Sequence, residues 1–599
     1  MKLEDFYEGR EFESYEYFGA HKGDKGYVFR TYAPNAKKVA LMGEFHHYAE
    51  DFMAQTEPGV YEITIEDAKP GMKYLYRIYQ EGDNFCDHCD PYGFSMELRP
   101  GYASVICDRD TYRFQDDEWI HGRTKENDQA PMAIYEVHLG SFARKEGGDS
   151  FYSYEEIAEK LVAHVKQCGY NYIEFLPLAE HPLDESLGYQ NTGFFAPTSR
   201  FGTPDGLRYL VDQCHQNRIG VIMDCSIVSF AIDRFGLADY DGQPLYEYGH
   251  KDSAINEFGS LNFIHAKGHV RSFLQSAAYY WLKEFHFDGL HFGSMGRLIY
   301  WHGEKYRGEN GIAIDFLKCM NLGLKERMPE CILMTGGTGG FLKTTDAVSN
   351  SGLGFDYQWD SNWMEDILKY LSYSPGMRKK QYYILPFSMI YFREEHYMLA
   401  LSHDGALHRE KGLLDGIYGN EKEKIRQTKA LLMYMYAHPG KVLNFSGMEV
   451  GAMERWDCTK EYLKKYFEQD SHRQVMEFVA KLNQIYKSHE ALYAWDSKEE
   501  GFCWIDCKKN GNCMYAFCRQ GKKGAVYAVF NFDDKEVENY PIHVKHVTQG
   551  EVILDSSWEA YDAEIIKEKE HLVIPAEREA GGNVLRINVP AFTGIYIKV

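Results

Sequence analysis

Residues 285–300, FHFDGLHFGSMGRLIY, decide how the chain is read. Phe287 to Phe292 read as a buried strand, and the glycines at 293 and 296 punctuate the loop that follows. Just before it, Val270, Phe273, Leu274, Ala277, Trp281, Leu282 and Phe285 recur at helical spacing and predict an amphipathic helix over 267–285. Around this unit, from about Pro131 onward, strands and helices alternate. Ala133–Val137, Asn171–Leu176, Ile219–Asp224, Cys331–Thr335, Tyr397–Ser402 and Lys441–Phe445 read as further strands. Ser153 and Glu156 make a capping box that opens a helix to Cys168, and Thr203-Pro204 opens another with proline in its first position. The series predicts a (β/α)8 TIM barrel with one long insertion after strand three. In such a barrel the chemistry sits at the carboxyl ends of the strands, so the residues of interest follow each one.

The flanks have a different texture. From about Tyr27 to Ile106 short alternating runs (YVFRTYAP, KKVALMGEF, GVYEITI, MKYLYRIYQ) are broken by Pro and Gly, the pattern of an antiparallel β-sandwich. After about Leu492 short strands return, among them AVYAVFNF and the closing FTGIYIKV. The expected architecture is multidomain α/β: a β-sandwich over 1–115, the barrel over 116–491 and an all-β domain, a second sandwich, over 492–599.

Composition narrows the function classes. Sixty-six basic against 89 acidic side chains give a formal net charge of −23, which repels phosphate backbones and anionic lipid, so neither nucleic acid nor a membrane is an expected partner. An aromatic content of 15% suits neutral sugars, which are held by stacking and hydrogen bonds, although most aromatics in any chain are core. MKLEDFYEGREFESYEYF is charged throughout and lacks a signal peptide's apolar run, and stretches such as Ala430 to Ala437 are too short to span a bilayer. The 13 cysteines are scattered, as reduced cytoplasmic thiols are. Cys86 and Cys89 make one CxxC; Cys503, Cys507, Cys513 and Cys518 flank a Lys509-Asn510-Gly511 turn and read as a hairpin. With no second close pair, and no H-x-x-x-H among the histidines, no metal site is expected. The run Gly336-Gly337-Thr338-Gly339-Gly340 lacks both the Lys-Ser/Thr of a P-loop and the third glycine of a dinucleotide fingerprint, and no cofactor is expected.

The frame Asp288-Gly289-Leu290, a tight loop and then Tyr300 resembles the fourth barrel strand of the α-amylase superfamily, and of glycogen (1,4-α-glucan) branching enzymes in particular. The resemblance runs along nearly the whole chain. In the sandwich it rests on Val28-Phe29-Arg30, Ala33-Pro34-Asn35-Ala36, Gly43-Glu44-Phe45 and Asp90-Pro91-Tyr92. In the barrel it rests on YEVHLGSF (Tyr135–Phe142), Glu180-His181-Pro182, Gly188-Tyr189-Gln190, APTSRFGTPD and LALSHDGALH. It implies a carbohydrate-binding sandwich, in which Tyr48 stands after the motif where the family carries a Trp. It also implies that Tyr189, Gln190, Asp224, His403 and Asp404 contact the sugar.

The same resemblance marks what is missing. The family's strand four reads roughly DGLRVDAV, with an Arg that positions the Asp nucleophile; here those positions are His291 and Gly293. Strand five delivers the general acid in a run like MIAEEST, which is Met334-Thr335-Gly336-Gly337-Thr338 in this chain, so Gly336 holds the acid/base position. Strand three ends in a sugar-gripping His whose position is Ser229, and the Glu after the His-Asp of strand seven is Gly405. Retaining glycosyl transfer needs two carboxyl groups about 5–5.5 Å apart. Losing a nucleophile that acts in a unit costs on the order of 10⁶ in rate. Asp288 points to the other face of the strand, and Asp224 and Asp404 are not positioned for in-line attack. The expected protein is a cytoplasmic branching-enzyme homologue with no intact catalytic residue, binding α-glucan such as glycogen or a working glycogen-metabolism enzyme. Two alternatives stand beside it: an active branching enzyme that cuts α-1,4 chains and re-attaches them through α-1,6 bonds, and a protein-binding scaffold with no sugar ligand.

Overall fold

Eight parallel strands close into a barrel: β1 (Ala133–Val137), β2 (Tyr172–Phe175), β3 (Gly220–Cys225), β4 (Gly289–Phe292), β5 (Ile332–Thr335), β6 (Tyr357–Trp359), β7 (Tyr397–Leu401) and β8 (Lys441–Phe445). They are seen in a computed structural model that describes every residue except 82–83, 124–128, 146–149, 408, 410, 508–510, 545–546, 559–571 and 580–581. Seven of these strands are those the sequence pattern predicts. The sixth escapes it, because a three-residue strand, Tyr357-Gln358-Trp359, carries no periodicity to read. β4 starts at Gly289, two residues later than expected, because Phe287 and Asp288 serve as its approach.

The helices start as their caps dictate. In α1 (Tyr154–Cys168) the Ser153 side chain accepts from the Glu156 amide while Glu156 returns the bond to the Ser153 amide. In α2 (Pro204–Gln216) Thr203 caps and Pro204 occupies the first turn. The helix α3 (Gly268–Glu284) buries Phe273, Leu274, Trp281 and Leu282. Between β3 and α3 the long insertion carries a short antiparallel pair, Ser229–Phe230 with Leu261–Asn262.

Asp288 anchors β4 at its amino end. It pairs with Arg123 Nε at 2.8 Å, accepts from Trp119 Nε1 at 2.9 Å and from the Val221 amide at 2.7 Å, and meets His215 Nε2 at 3.0 Å. Burial would raise its pKa, but Arg123 and His215 hold it below the usual carboxylate range. The retained DGL frame is therefore a structural clamp between β3, β4 and the segment before the barrel.

The N-terminal sandwich stacks a four-stranded on a five-stranded sheet. Strands Gly26–Tyr32 and Lys73–Tyr79 alternate buried and half-buried residues, so one face of each sheet builds the core. Asp90 of the matching Asp90-Pro91-Tyr92 is buried and accepts from the Tyr74 and Tyr76 hydroxyls, and the Tyr92 ring stacks between Phe18 and Phe195. That motif joins sandwich to barrel. The first residues also lie on the barrel: Ser272 Oγ of α3 donates to Phe6 O, and Gln275 Nε2 donates to Gly9 O. The C-terminal region sets a six-stranded beside a three-stranded sheet. Its first two strands pair Cys503 with Cys518, as a hairpin requires, while Lys509 and Asn510 lie outside the described residues. Among the described residues no cysteine is in a disulfide. Among the described residues no helix is long and apolar enough to cross a membrane.

Candidate functional site

At the carboxyl ends of β1 to β3 three acids point into the barrel: Glu136, Glu174 and Asp224, each no more than 2% exposed. Carboxylates this deep are costly unless paired. Two histidines pair them. His291 on β4 brings Nδ1 to 3.0 Å from Glu174 Oε1 and 3.5 Å from Asp224 Oδ2. His403 after β7 pairs through Nδ1 with Glu136, which also accepts the His403 amide at 2.8 Å.

Burial pushes both imidazoles down, but the facing carboxylates prevail: Asp224 and Glu174 raise His291, and Glu136 and Asp404 raise His403, each to about 10. Burial pushes Glu174 up, to about 7, against the pull of His291. The donor atoms of Glu174, Asp224 and His291 lie within 4.8 Å of one another, a spacing that also suits a metal ion. The protonated His291 ring already supplies the balancing charge. Its other face lies on the Trp359 indole, with ring centroids 4.0 Å apart.

The structure brings together four of the five sugar-contact candidates. The Tyr189 hydroxyl donates to Asp224 and stands 3.1 Å from His403 Nε2, with the Tyr189 ring stacked on the His403 ring. Asp224 and His403 are thus occupied by protein partners and buried. Gln190 turns away, donating to Phe258 O at 3.1 Å. Asp404 is the exposed member, its carboxylate 3.5 Å from His403 Nε2.

Gly293, Gly336, Gly405 and Ser229, four of the five positions where the resemblance expects another residue, differ in their surroundings. A Cβ built on Gly293 meets only Asp224 Oδ1, at 4.0 Å, so this position is open. One built on Gly336 meets His291 Nε2 at 3.1 Å and Trp359 Cε3 at 3.5 Å, so the His291–Trp359 stack has closed on it. At Gly405 a Cβ meets Met364 Sδ at 2.7 Å, so the end of the Met364 side chain would have to move to admit a longer residue. Ser229 sits in the insertion's short strand, its carbonyl accepting from Ser226 Oγ. The loops after β4 and β5 are zipped together: the Met295 amide donates to Gly336 O and the Gly296 amide to Gly337 O. Gly337 and Gly339 adopt left-handed φ there, of 60° and 65°.

Glu136, Glu174 and Trp359 are members of this cluster that sequence reasoning missed. For the two acids a signal existed: a Glu inside each apolar strand, in AIYEV and YIEF. For Trp359 there was none, since its strand itself was not read.

Comparison with known proteins places this geometry in a lineage. The chain is 36% identical to the 1,4-alpha-glucan branching enzyme GlgB of Oceanobacillus iheyensis over 608 aligned residues, 98% of this chain and 95% of that protein. It is 37% identical to the protein of the same name from Fusobacterium nucleatum, over 92% of this chain and 91% of that one. The chain belongs to the branching-enzyme family. Residues 17–93 of this branching-enzyme homologue match carbohydrate-binding module 48 (isoamylase N-terminal domain), and residues 504–599 match the alpha amylase C-terminal all-beta domain. Solved structures share the fold at low identity. A pullulanase from Anoxybacillus sp. LM18-11 complexed with maltotetraose superposes with a TM-score of 0.76 at 15% identity, over 100% of this chain and 89% of that one. A putative alpha amylase from Salmonella typhimurium gives 0.72 at 16%, over 97% and 99%.

Proposed function

We propose that this family member binds α-glucan without cutting or transferring it. One observation carries the reading: the ends of β4 and β5 bear Gly293 and Gly336 where glycosyl transfer needs two facing carboxyl groups, and the second position is filled by the His291–Trp359 stack. The neighbouring acids do not replace them, since Asp224, Glu174 and Glu136 are buried and balanced by histidines. The carbohydrate-binding-module match, with Tyr48 43% exposed at its surface, supports a glucan as ligand. A working glycogen enzyme as partner and a cytoplasmic setting belong to the same proposal, as does a division of labour among 1–115, 116–491 and 492–599. The deciding experiment is iodine staining of amylose after incubation with the purified chain. We expect the colour of a boiled control; a clear loss of colour would overturn the reading.

The second reading, an active branching enzyme, is favoured by 34–37% identity along most of the chain to proteins so named. It predicts loss of iodine colour and new α-1,6 linkages in the same sample.

A further inference from the structure

Of the sugar-contact residues at the barrel mouth, Asp224 and His403 are shut in, Tyr189 and Gln190 are half-buried and Asp404 is exposed, while an open cavity of about 120 Å³ lies on the insertion after β3. It is bounded by the insertion after β3 and the loop after β4, and Asn262 in its wall is the strand partner of Ser229. Tyr248 and Trp301 meet edge to face across it, 6.5 Å between centroids, and Trp301 is 38% exposed. Asn256, Asn262 and His302 add amide and imidazole groups to the wall. The one guanidinium, Arg297, is neutralised by an ion pair with Glu257 and lies 4.5 Å over the Phe258 ring. A partly exposed indole beside a second aromatic ring, side-chain amides, and a charge cancelled locally suit an uncharged, hydroxyl-rich ligand with apolar C–H faces. They do not suit a phosphate or a carboxylate, which would need a free cation.

We infer that this cavity, and not the inherited barrel mouth, is where the barrel holds a glucosyl unit of α-glucan, stacked on Trp301. The inference rests on the glucan-binding reading and deepens it by assigning the place. The contrast in access supports it: His291, Asp224, His403 and Trp359 are all under 5% exposed, so no sugar ring reaches these four without rearrangement, and the exposed Asp404 offers no ring to stack on, whereas Trp301 is open as it stands.

The test is native-gel retardation in glycogen, with maltohexaose titration for affinity, on the full chain and three variants. Trp301→Ala removes the stacking ring, Ser253→Tyr fills the cavity from its wall, and Tyr48→Ala removes the exposed ring of the sandwich. A thermal melt of each checks folding. We expect Trp301→Ala and Ser253→Tyr to weaken maltohexaose binding about tenfold, the worth of one good aromatic contact. We expect Tyr48→Ala to leave this component in place. Retardation of the unaltered chain that neither cavity variant changes overturns the assignment and leaves the glucan reading standing. If the unaltered chain is not retarded, the glucan reading falls and this inference with it. Should Trp301→Ala melt early, Ser253→Tyr decides alone.

Discussion

The two ends of β4 have had opposite fates. At its amino end Asp288 is held by Trp119, Arg123, His215 and the Val221 amide, every contact a close one. At its carboxyl end, five residues on, Gly293 offers no side chain, and the neighbouring His291 is turned to Glu174 and Asp224. The first end assembles the barrel, and removing any partner leaves a buried charge exposed to the low-dielectric interior. At the second end Gly293 makes no side-chain contact that the barrel needs, and the buried acids beside it are balanced by histidine. The two ends of one strand can therefore answer to different constraints, one to folding and one to the residues of the barrel mouth.

The largest expected effect lies at the amino end. Asp288→Ala strands Arg123 and His215 and is expected to cost about 3–5 kcal/mol in urea unfolding. A loss under about 1 kcal/mol would erase the contrast between the two ends. At the carboxyl end Gly336→Glu is expected to cost about 1–3 kcal/mol by pushing into His291 and Trp359. Gly293→Asp, facing open space, should cost less, and the order of the two in the same melts checks the geometry read at each glycine. The double variant should still leave amylose staining unchanged, because His291 and Ser229 would not orient the restored acids.

The pH dependence is subtler. His291 and His403 titrate near 10 when folded against 6.5 for the free side chain, so the folded state binds more protons across that window. Their contribution is complete below pH 6.5 and is lost as pH rises through about 10. Stability from urea melts should therefore fall between those values, and His291→Gln should flatten part of the slope. An unchanged slope would mean that this ring is neutral in the folded chain. Smallest of all, Tyr189→Phe removes one donor from Asp224 and should lower stability by about 1–2 kcal/mol, read by thermal melt.

Much of this was legible before any coordinates. The 3.6-residue spacing ahead of Phe285, the Ser153–Glu156 box and the spacing of the apolar strands specify a barrel, because local periodicity and caps are written residue by residue. The glycines at 293 and 336 were legible too, and a glycine cannot attack or donate whatever surrounds it. Exposure and pairing were not. Asp404 and Gln190 look like Asp224 and Tyr189 in the sequence, but one is solvent-facing, one reaches the Phe258 carbonyl, and the other two bond each other. Glu136, Glu174 and Trp359 come from three separate strands, and only barrel closure brings them to the histidines. The cavity at Trp301 likewise joins two loops far apart in the chain. What the residues decide alone is which groups exist and which elements they form. Which charges meet, and which surfaces stay open, depends on long-range packing that no local pattern encodes.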